Sequence, residues 1–440
     1  MSNAFENTRR SFLTAGAFTI LRPELVRGGA PEKLKAGLVG CGGRGTQAVT
    51  DMMTGNENIE LVAMADVFED KLETSLQRLR DPNALKRYDG IVVPRGGEQK
   101  EMKMDDLVAS VHPRIKVEPD KHFVGFDAFQ KLINSDVDIV MLTTPPGYRP
   151  QHFEAAIKAG KHVFTEKPIA TDPVGCRRFM EAAKLATEKK LTVVSGAQRH
   201  AQKNYVQTVD KIKNGEIGEI KSLYSHYLSG PVFHAKGREP QWGDMEWEHR
   251  NWYSFVWICG DQIVEQHFHN IDFICWVMGT HPQSVVASGG ISWRKGNELY
   301  GNIYDHMASD FIFANGVRYS SHCRQYPRGV FNEVTDLIVG TKGVTDGTDL
   351  SQEKGINPYV QEHIDLVNSI LGKGPYLNQG QSVAESTMTA IMGRESAYSG
   401  QRITWDQIMA SQLDLQPKAF DYKLQMEPPQ LPEPGKYKLI

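Results

Sequence analysis

The sequence predicts an α/β fold of two domains, a doubly wound parallel sheet followed by a second α/β domain, and three observations predict it. The apolar run Lys35-Ala36-Gly37-Leu38-Val39 opens directly into Gly40-Cys41-Gly42-Gly43-Arg44-Gly45, which reads as a buried strand ending in a tight turn before a helix. Apolar runs and helical runs then alternate as far as Thr165, the order of βαβ units. Further along, Ser309-Asp310-Phe311-Ile312-Phe313 and Val317-Arg318-Tyr319-Ser320-Ser321 flank Ala314-Asn315-Gly316, and Asn-Gly accepts the positive φ values of a type I′ hairpin turn. At 440 residues the chain exceeds one ordinary core, which also favours two domains.

In the first unit Gly40 permits the turn, Gly42 removes a Cβ that would block a pyrophosphate, and Gly45 lets the helix over residues 46–53 pack on the strand. The N–H groups at that helix start suit phosphate. The second strand, residues 59–65, ends in Asp66, about twenty residues past Gly45, where a carboxylate accepts hydrogen bonds from an adenosine ribose. Its charge repels a 2′-phosphate, so NAD is expected ahead of NADP; Asp66 also suits a helix N-cap ahead of Phe68-Glu69-Asp70. After the helix 68–80, residues 81–122 read as an irregular polar insertion. A short helix at 125–133 precedes a strand at 137–142, which ends in Thr143-Thr144-Pro145-Pro146. Doubly wound sheets bind ligand at such carboxyl ends. A helix from Pro150 closes at Gly160, with Lys158 and Lys161 at its negative end, and leads to the strand 162–165 and Glu166-Lys167-Pro168. Beyond lie strands at 191–195, 220–228 and 284–293 and helices at 359–371 and 382–398. From Gln416 five prolines (Pro417, Pro428, Pro429, Pro432, Pro434) predict an extended arm, lying on a neighbouring subunit or without order.

A net charge of -3 gives no electrostatic reason for nucleic acid or an anionic membrane. The five cysteines (Cys41, Cys176, Cys259, Cys275, Cys323) contain no C-x-x-C, which argues against a zinc knuckle or disulfide framework. No stretch is long and apolar enough to span a bilayer. Thr8-Arg9-Arg10-Ser11-Phe12-Leu13-Thr14 resembles a twin-arginine export signal, followed by a short apolar stretch at 15–21 without a clear A-x-A site before Pro31. Export places the protein in the periplasm, where NAD would have to travel bound.

Thr144-Pro145-Pro146, His152-Phe153-Glu154-Ala155-Ala156, Ala159-Gly160-Lys161-His162-Val163 and Glu166-Lys167-Pro168 together resemble the glucose-fructose oxidoreductase, inositol dehydrogenase and MocA family of NAD(P)-dependent sugar and cyclitol oxidoreductases. The likeness continues through Gln198-Arg199, Gly215-Glu216-Ile217-Gly218, residues 260–272, Gly340-Thr341-Lys342-Gly343 and Gly393-Arg394-Glu395, covering about 34–408. It implies a Rossmann domain, taken over 34–167, and an α/β domain with an open-faced mixed sheet, taken over 168–415; the twin-arginine pattern marks a leader over 1–33 and the prolines the arm over 416–440. The substrate, a small carbohydrate, would lie between the domains, and open sheets would pair in a homodimer or homotetramer. The implied cofactor contacts are Gly40, Gly42, Gly43, Arg44, Gly45, Asp66, Thr144, Pro145, Glu166 and Lys167.

Moving a hydride from a carbinol carbon to NAD requires the hydroxyl proton to leave as well, and a lysine beside the nicotinamide can orient that hydroxyl and relay its proton. The resemblance gives this role to Lys167, with a following proline bond that is often cis. On a continuous helix Gln262, Glu265, His269, Asp272 and Trp276 would share one face. The family pattern is aspartate, three residues, histidine; His269 falls on the histidine as general base, and Glu265 replaces the aspartate that would set its tautomer. Asp272 adds a second acid. A metal on Glu265, His269 and Asp272 has ligand spacing, but the neighbouring lysine already supplies the proton chemistry, and no metal is expected. Arg199, Tyr205 and Trp252 are candidate substrate contacts, with His226 and Arg324 weaker ones; Trp242, Trp247, Trp252 and Trp257 offer faces for stacking on a sugar or for a packed core. The expected reaction is hydride transfer between a sugar or cyclitol carbon and NAD. The alternative is a redox-neutral glycoside hydrolase or lyase using bound NAD for transient oxidation and elimination.

Overall fold

The computed structural model describes residues 33–232, 237–294 and 298–440; the twin-arginine pattern at Thr8–Thr14 lies outside them. The first domain alternates β1 (Leu34–Val39), α1 (Gly43–Gly55), β2 (Ile59–Asp66) and α2 (Glu69–Arg80). β1 and β2 are apolar and buried along nearly their whole length, as parallel strands covered on both faces must be. α2 instead buries only Leu72, Ser75, Leu76 and Leu79, with Glu69 and Asp70 at its positive end and Arg78 and Arg80 at its negative end.

Residues 81–122 are not irregular, and here the expectation is corrected. They form a 3₁₀ turn at Pro82–Tyr88, a hairpin of β3 (Ile91–Arg95) and β4 (Glu98–Met102), and α3 (Met104–Val111). Gly96 and Gly97, at φ +58° and +90°, make the two-residue turn. Leu85, Tyr88, Val93, Met102, Leu107 and Val111 supply a buried face. Arg114 donates to the carbonyls of Met53, Asn56 and Ile59, and Arg95 to those of Thr54 and Gly55, so two guanidiniums close the carboxyl end of α1.

The chain then returns through β5 (His122–Val124), α4 (Ala128–Ile133), β6 (Ile139–Leu142), α5 (Arg149–Lys158), β7 (His162–Thr165), α6 (Pro173–Glu188) and β8 (Val193–Ser195). The six strands lie in the order β5-β2-β1-β6-β7-β8, every pairing parallel. The order reverses beside β1, which places a crevice at the carboxyl ends of β1 and β6.

The second domain contains α7 (Lys203–Lys213), β9 (Ile220–Ser229), α8 (Asp244–Arg250), α9 (Val256–Cys259), α10 (Gln262–Glu265) and α11 (Phe268–Met278). There follow β10 (Ser284–Gly290), β11 (His306–Ile312), β12 (Arg318–Gln325), β13 (Glu333–Gly340), β14 (Val344–Thr345), α12 (Pro358–Ile370), α13 (Gly380–Ser399), β15 (Ile403–Thr404) and α14 (Trp405–Ala410). Its seven-stranded sheet runs β14-β13-β9-β12-β11-β10-β15 and is mixed, with β9 and β12 parallel. One face buries Leu223, Val285, Phe311, Tyr319 and Ile338, while Tyr224, Val286, Leu337 and Val344 stand exposed.

Two further expectations change. The Asn315-Gly316 turn is not type I′: only Gly316 has positive φ, +82°, and Phe313 N–H reaches the Val317 carbonyl at 2.9 Å. It is the three-residue loop in which a left-handed glycine closes the turn. Residues 416–440 lie on their own chain. Tyr422 donates to the Val67 carbonyl at 3.1 Å, Met426 N–H to Asp244 at 3.0 Å, and Tyr437 to Glu395 at 2.7 Å. Prolines keep the arm extended, and hydrogen bonds and rings hold it down.

Candidate active site

At the end of β1 the backbone turns through Gly40 at φ +98°, where a Cβ would lie 2.6 Å from Thr144 N. A Cβ on Gly45 would meet the Gly40 carbonyl oxygen at 2.1 Å, so α1 can pack on the turn only with glycine there. Among the described residues, nothing lies within 4 Å of a Cβ position on Gly42 or Gly43, and no side chain caps α1. The N–H groups of its first turn therefore face an open cradle, which fits the diphosphate of a dinucleotide. Asp66 accepts from Cys41 N–H at 2.6 Å and Phe68 N–H at 2.9 Å, and burial raises its carboxyl pKa. It ties the cradle to the start of α2 but is not that helix's N-cap, which is Phe68.

A cleft of about 880 Å³ runs from this cradle between the two domains. Of the residues singled out in the sequence, Gly40, Gly42, Gly43, Arg44, Gly45, Asp66, Thr144, Pro145, Glu166, Lys167, Arg199, Trp252, Glu265 and His269 line it. Lys167 follows β7, and the Lys167–Pro168 peptide is cis. Its ammonium donates to the Glu265 carbonyl oxygen at 2.8 Å and lies 3.5 Å from the Glu265 carboxylate. His269 stands on the facing wall; desolvation, with the cations of Lys167, Arg199 and Arg44, puts its pKa well below the ordinary histidine value. Its imidazole is thus neutral at pH 7 and able to accept a proton.

The continuous helix expected over 262–276 is broken. α10 is a single turn, the regular ladder is lost from His267, whose N–H reaches back five residues to Gln262 while those of His269 and Asn270 reach back three, and α11 starts afresh. With the register lost, Glu265 does not reach His269; its carboxylate accepts from the Gln266 amide at 2.7 Å and faces Lys167. Asp272 is likewise not in the cleft. It pairs with His200 at 2.8 Å, and His200 stacks on Trp276 at 4.2 Å, so Glu265, His269 and Asp272 do not converge as metal ligands.

Arg199 reaches the cleft with its charge already committed, 2.8 Å from the buried Asp336, and it donates to the His269 carbonyl at 3.1 Å. Tyr205 packs beneath that guanidinium and against Phe273, away from the cleft wall. His226 and Arg324 are also off the cleft. His226 bonds Glu333 at 2.8 Å, and Arg324 lies over Tyr326 and donates to the Phe331 carbonyl. The neighbouring Tyr227 is the residue that lines the cleft, donating to Gln266 at 2.6 Å. Alternation along β9 put the adjacent side chain inward. Arg44 lines the cleft as well, and its guanidinium pairs with three carboxylates.

Sequence reasoning missed the aromatic wall at the Asp66 end. Phe68, Phe126, Tyr148 and His249 line the cleft there. Tyr422 of the arm backs them, stacked on Phe68 at 5.4 Å and beside Phe126 at 4.7 Å, and Phe420 lies 5.4 Å from Tyr148. Tyr148 could have been found, since it follows the Thr-Thr-Pro-Pro turn; nothing local marks His249. Of the four clustered tryptophans, Trp252 lines the cleft and Trp247 and Trp257 pack around Phe255 and Tyr148.

The comparisons with known proteins agree with this geometry. The model of the GFO/IDH/MocA oxidoreductase family, NAD-binding Rossmann fold, matches residues 34–196, and that of the GFO/IDH/MocA C-terminal domain matches residues 205–345. Inositol 2-dehydrogenase of Pseudomonas fluorescens is 28% identical over 308 residues, 67% of this chain and 78% of that protein. The inositol 2-dehydrogenase of Salmonella typhimurium is 25% identical over 201 residues, 45% of this chain, and the match spans about half of that relative's length, 47%. Among solved structures, scyllo-inositol dehydrogenase from Lactobacillus casei, with bound NAD(H) and scyllo-inositol, has a TM-score of 0.60 at 18% identity over 85% of this chain and 99% of that one.

Proposed function

Because the chain belongs to the GFO/IDH/MocA oxidoreductase family, with both its Rossmann and its C-terminal domain, we propose that it is an NAD-dependent dehydrogenase of a sugar or cyclic polyol. The observation that carries this reading is that Lys167 and a neutral His269 line the same cleft as the glycine cradle. NAD, when bound, supplies the hydride acceptor. Lys167 orients the substrate hydroxyl and relays its proton, and His269 accepts it. Trp252 offers an apolar face to ring C–H groups, and Tyr227 with Gln266 offers hydrogen bonds to further hydroxyls. Arg199 holds the His269 carbonyl, and so orients the base.

Incubating the full chain with NAD and a panel of inositols, sugars and glycosides tests the proposal. Polyol- or sugar-dependent NADH formation is expected; cleavage of a glycoside without net nicotinamide reduction would replace this reading with the redox-neutral one. For oxidation, kcat/KM is expected to stay level down to pH 6.5 and to fall only below it. The folded-state His269 pKa is depressed, so the imidazole becomes charged, and useless as a base, only on the acid side of its ordinary value. An acid limb centred at or above pH 6.5 contradicts this assignment, and His269→Asn should remove the limb.

We also propose that NAD is retained as a prosthetic group, which suits the export suggested by Arg9-Arg10 to the periplasm. The arm behind the wall of Phe68, Phe126 and Tyr148 supports retention. Denaturing protein purified without added nucleotide should release NAD at near-equimolar amount; an empty protein that binds NAD reversibly refutes retention. The exposed Tyr224, Val286 and Leu337 on the open sheet support assembly as a homodimer or homotetramer.

A further inference from the structure

Arg44 sits in the first turn of α1, between the cradle glycines Gly43 and Gly45, where it lines the cleft while its guanidinium is engaged by three carboxylates. Nε donates to Glu166 Oε1 at 2.5 Å, one terminal nitrogen to Asp51 Oδ2 at 3.0 Å and the other to Glu362 Oε1 at 3.1 Å. The three acceptors come from β7's end, from α1 itself and from α12, so one side chain joins the phosphate turn to two distant parts of the chain. The guanidinium carbon also lies 4.8 Å from the Tyr359 ring centroid. All five N–H groups in a rigid fork suit this three-way contact, and a lysine could not reproduce it.

The important partner is Glu166. Its carboxylate is buried, and its second oxygen accepts the Lys167 backbone N–H at 3.2 Å. A Cβ on Gly196 would lie 2.7 Å from that carboxylate, so the site is tight on the far side as well. Burial alone would raise the Glu166 pKa, but Arg44, Lys167 and Arg149 outweigh it and keep the group ionised. Glu362 is the opposite case: burial pushes its pKa well above the usual range despite Arg44, and its Oε2 has no hydrogen-bond partner among the described residues. Arg149 adds a brace from α5, donating to the Pro168 carbonyl. The segment Glu166-Lys167-Pro168 is thus gripped at its first residue by Arg44 and at its third by Arg149.

We propose that Arg44 is a positioning residue that ties the phosphate-binding turn to Lys167 through Glu166, so that the dinucleotide and the lysine are held in one rigid frame. The assignment rests on the dehydrogenase reading for the importance of Lys167, but its geometry does not depend on the substrate. Binding of a diphosphate to the N–H groups around Arg44 and placement of the Lys167 ammonium are then parts of a single unit. Loosening the link frees the lysine while the glycines and backbone N–H groups of the cradle stay in place.

The test uses the full chain and its variants Arg44→Met, Arg44→Lys, Glu166→Gln and the double Arg44→Met/Glu166→Gln, with Glu362→Gln as a control. Reductive methylation by formaldehyde and cyanoborohydride, read residue by residue by mass spectrometry, gives the reactivity of Lys167 relative to the exposed Lys184; fluorescence titration gives the NADH dissociation constant. We expect Lys167 to react at least about fivefold faster in Arg44→Met and Glu166→Gln, with Arg44→Lys between them and wild type. The double variant should be no faster than either single one, because both break the same link. Glu362→Gln should match wild type in the Lys167 rate and keep the NADH constant within about threefold, since Glu362 is not among the residues lining the cleft. A merely structural arginine would lower the melting temperature while leaving Lys167 as slow as in wild type, and that result overturns the proposal, as do independent, multiplying effects in the double variant. Wild-type protein that binds no NADH would overturn the dehydrogenase reading instead, because the Lys167 rates are read without nucleotide.

Discussion

Lys167→Ala is expected to lower turnover by about 10²- to 10⁴-fold while leaving the NAD dissociation constant within about threefold of wild type. The two effects separate because they arise from different groups. The cradle that fits the diphosphate is made of backbone N–H groups and absent Cβ atoms at Gly42 and Gly43, none of which the substitution touches. The ammonium lies across the cleft, 2.8 Å from the Glu265 carbonyl oxygen, where it can meet a substrate hydroxyl. Alanine removes the donor and leaves that carbonyl facing a void. Lys167→Arg should rescue little, since a planar fork does not fit where a compact ammonium reaches one carbonyl. Stopped-flow NADH formation checks the rate and fluorescence titration checks the affinity; turnover at wild-type rate in Lys167→Ala would remove Lys167 from the chemistry.

What could be read from the sequence divides along a physical line. The placements of Gly40, Gly45 and Asp66 were legible because they follow from local geometry, a turn, a close helix approach and a strand's carboxyl end, whereas Lys167 was singled out by the family resemblance of the run around it. Positions that depend on register were not. His226 and Tyr227 are adjacent on β9, and only the pairing of β9 with β12 and β13 decides which faces the cleft. The Glu265–His269 relation failed for a similar reason: it presumes an unbroken helix, and the interruption at Gln266–His267 is imposed by packing, with His267 drawn 2.5 Å from Ser321 on β12. Asp272 had the right helical spacing but found His200, which lies 72 residues earlier. The hairpin inside residues 81–122 did carry a local signal, Gly96-Gly97, obscured by the surrounding charges. The arm's contacts with Phe68 and Phe126 join residues some three hundred apart and have no local trace.

Gly45→Val should abolish detectable NAD binding and destabilise the first domain, and comparison with Gly42→Ala shows why. A Cβ at Gly45 meets the Gly40 carbonyl oxygen at 2.1 Å and the Thr143 hydroxyl oxygen at 2.5 Å. The first of these is backbone of the very turn that makes the cradle, so relief requires α1 to slide off β1. That movement withdraws the N–H groups at the helix start together with Arg44, and overpacking of this kind costs about 1–3 kcal/mol. At Gly42 a Cβ meets nothing within 4 Å, and its backbone, at φ −70°, is open to any residue. Gly42→Ala should therefore keep the wild-type melting temperature and lose NAD affinity alone, because the added methyl occupies only the space that the diphosphate needs. Thermal denaturation and NADH titration of the two variants, side by side, separate a steric demand of the fold from one of the ligand. If Gly42→Ala bound NADH as tightly as wild type, the cradle would not be where the diphosphate lies, whatever Gly45→Val did to stability.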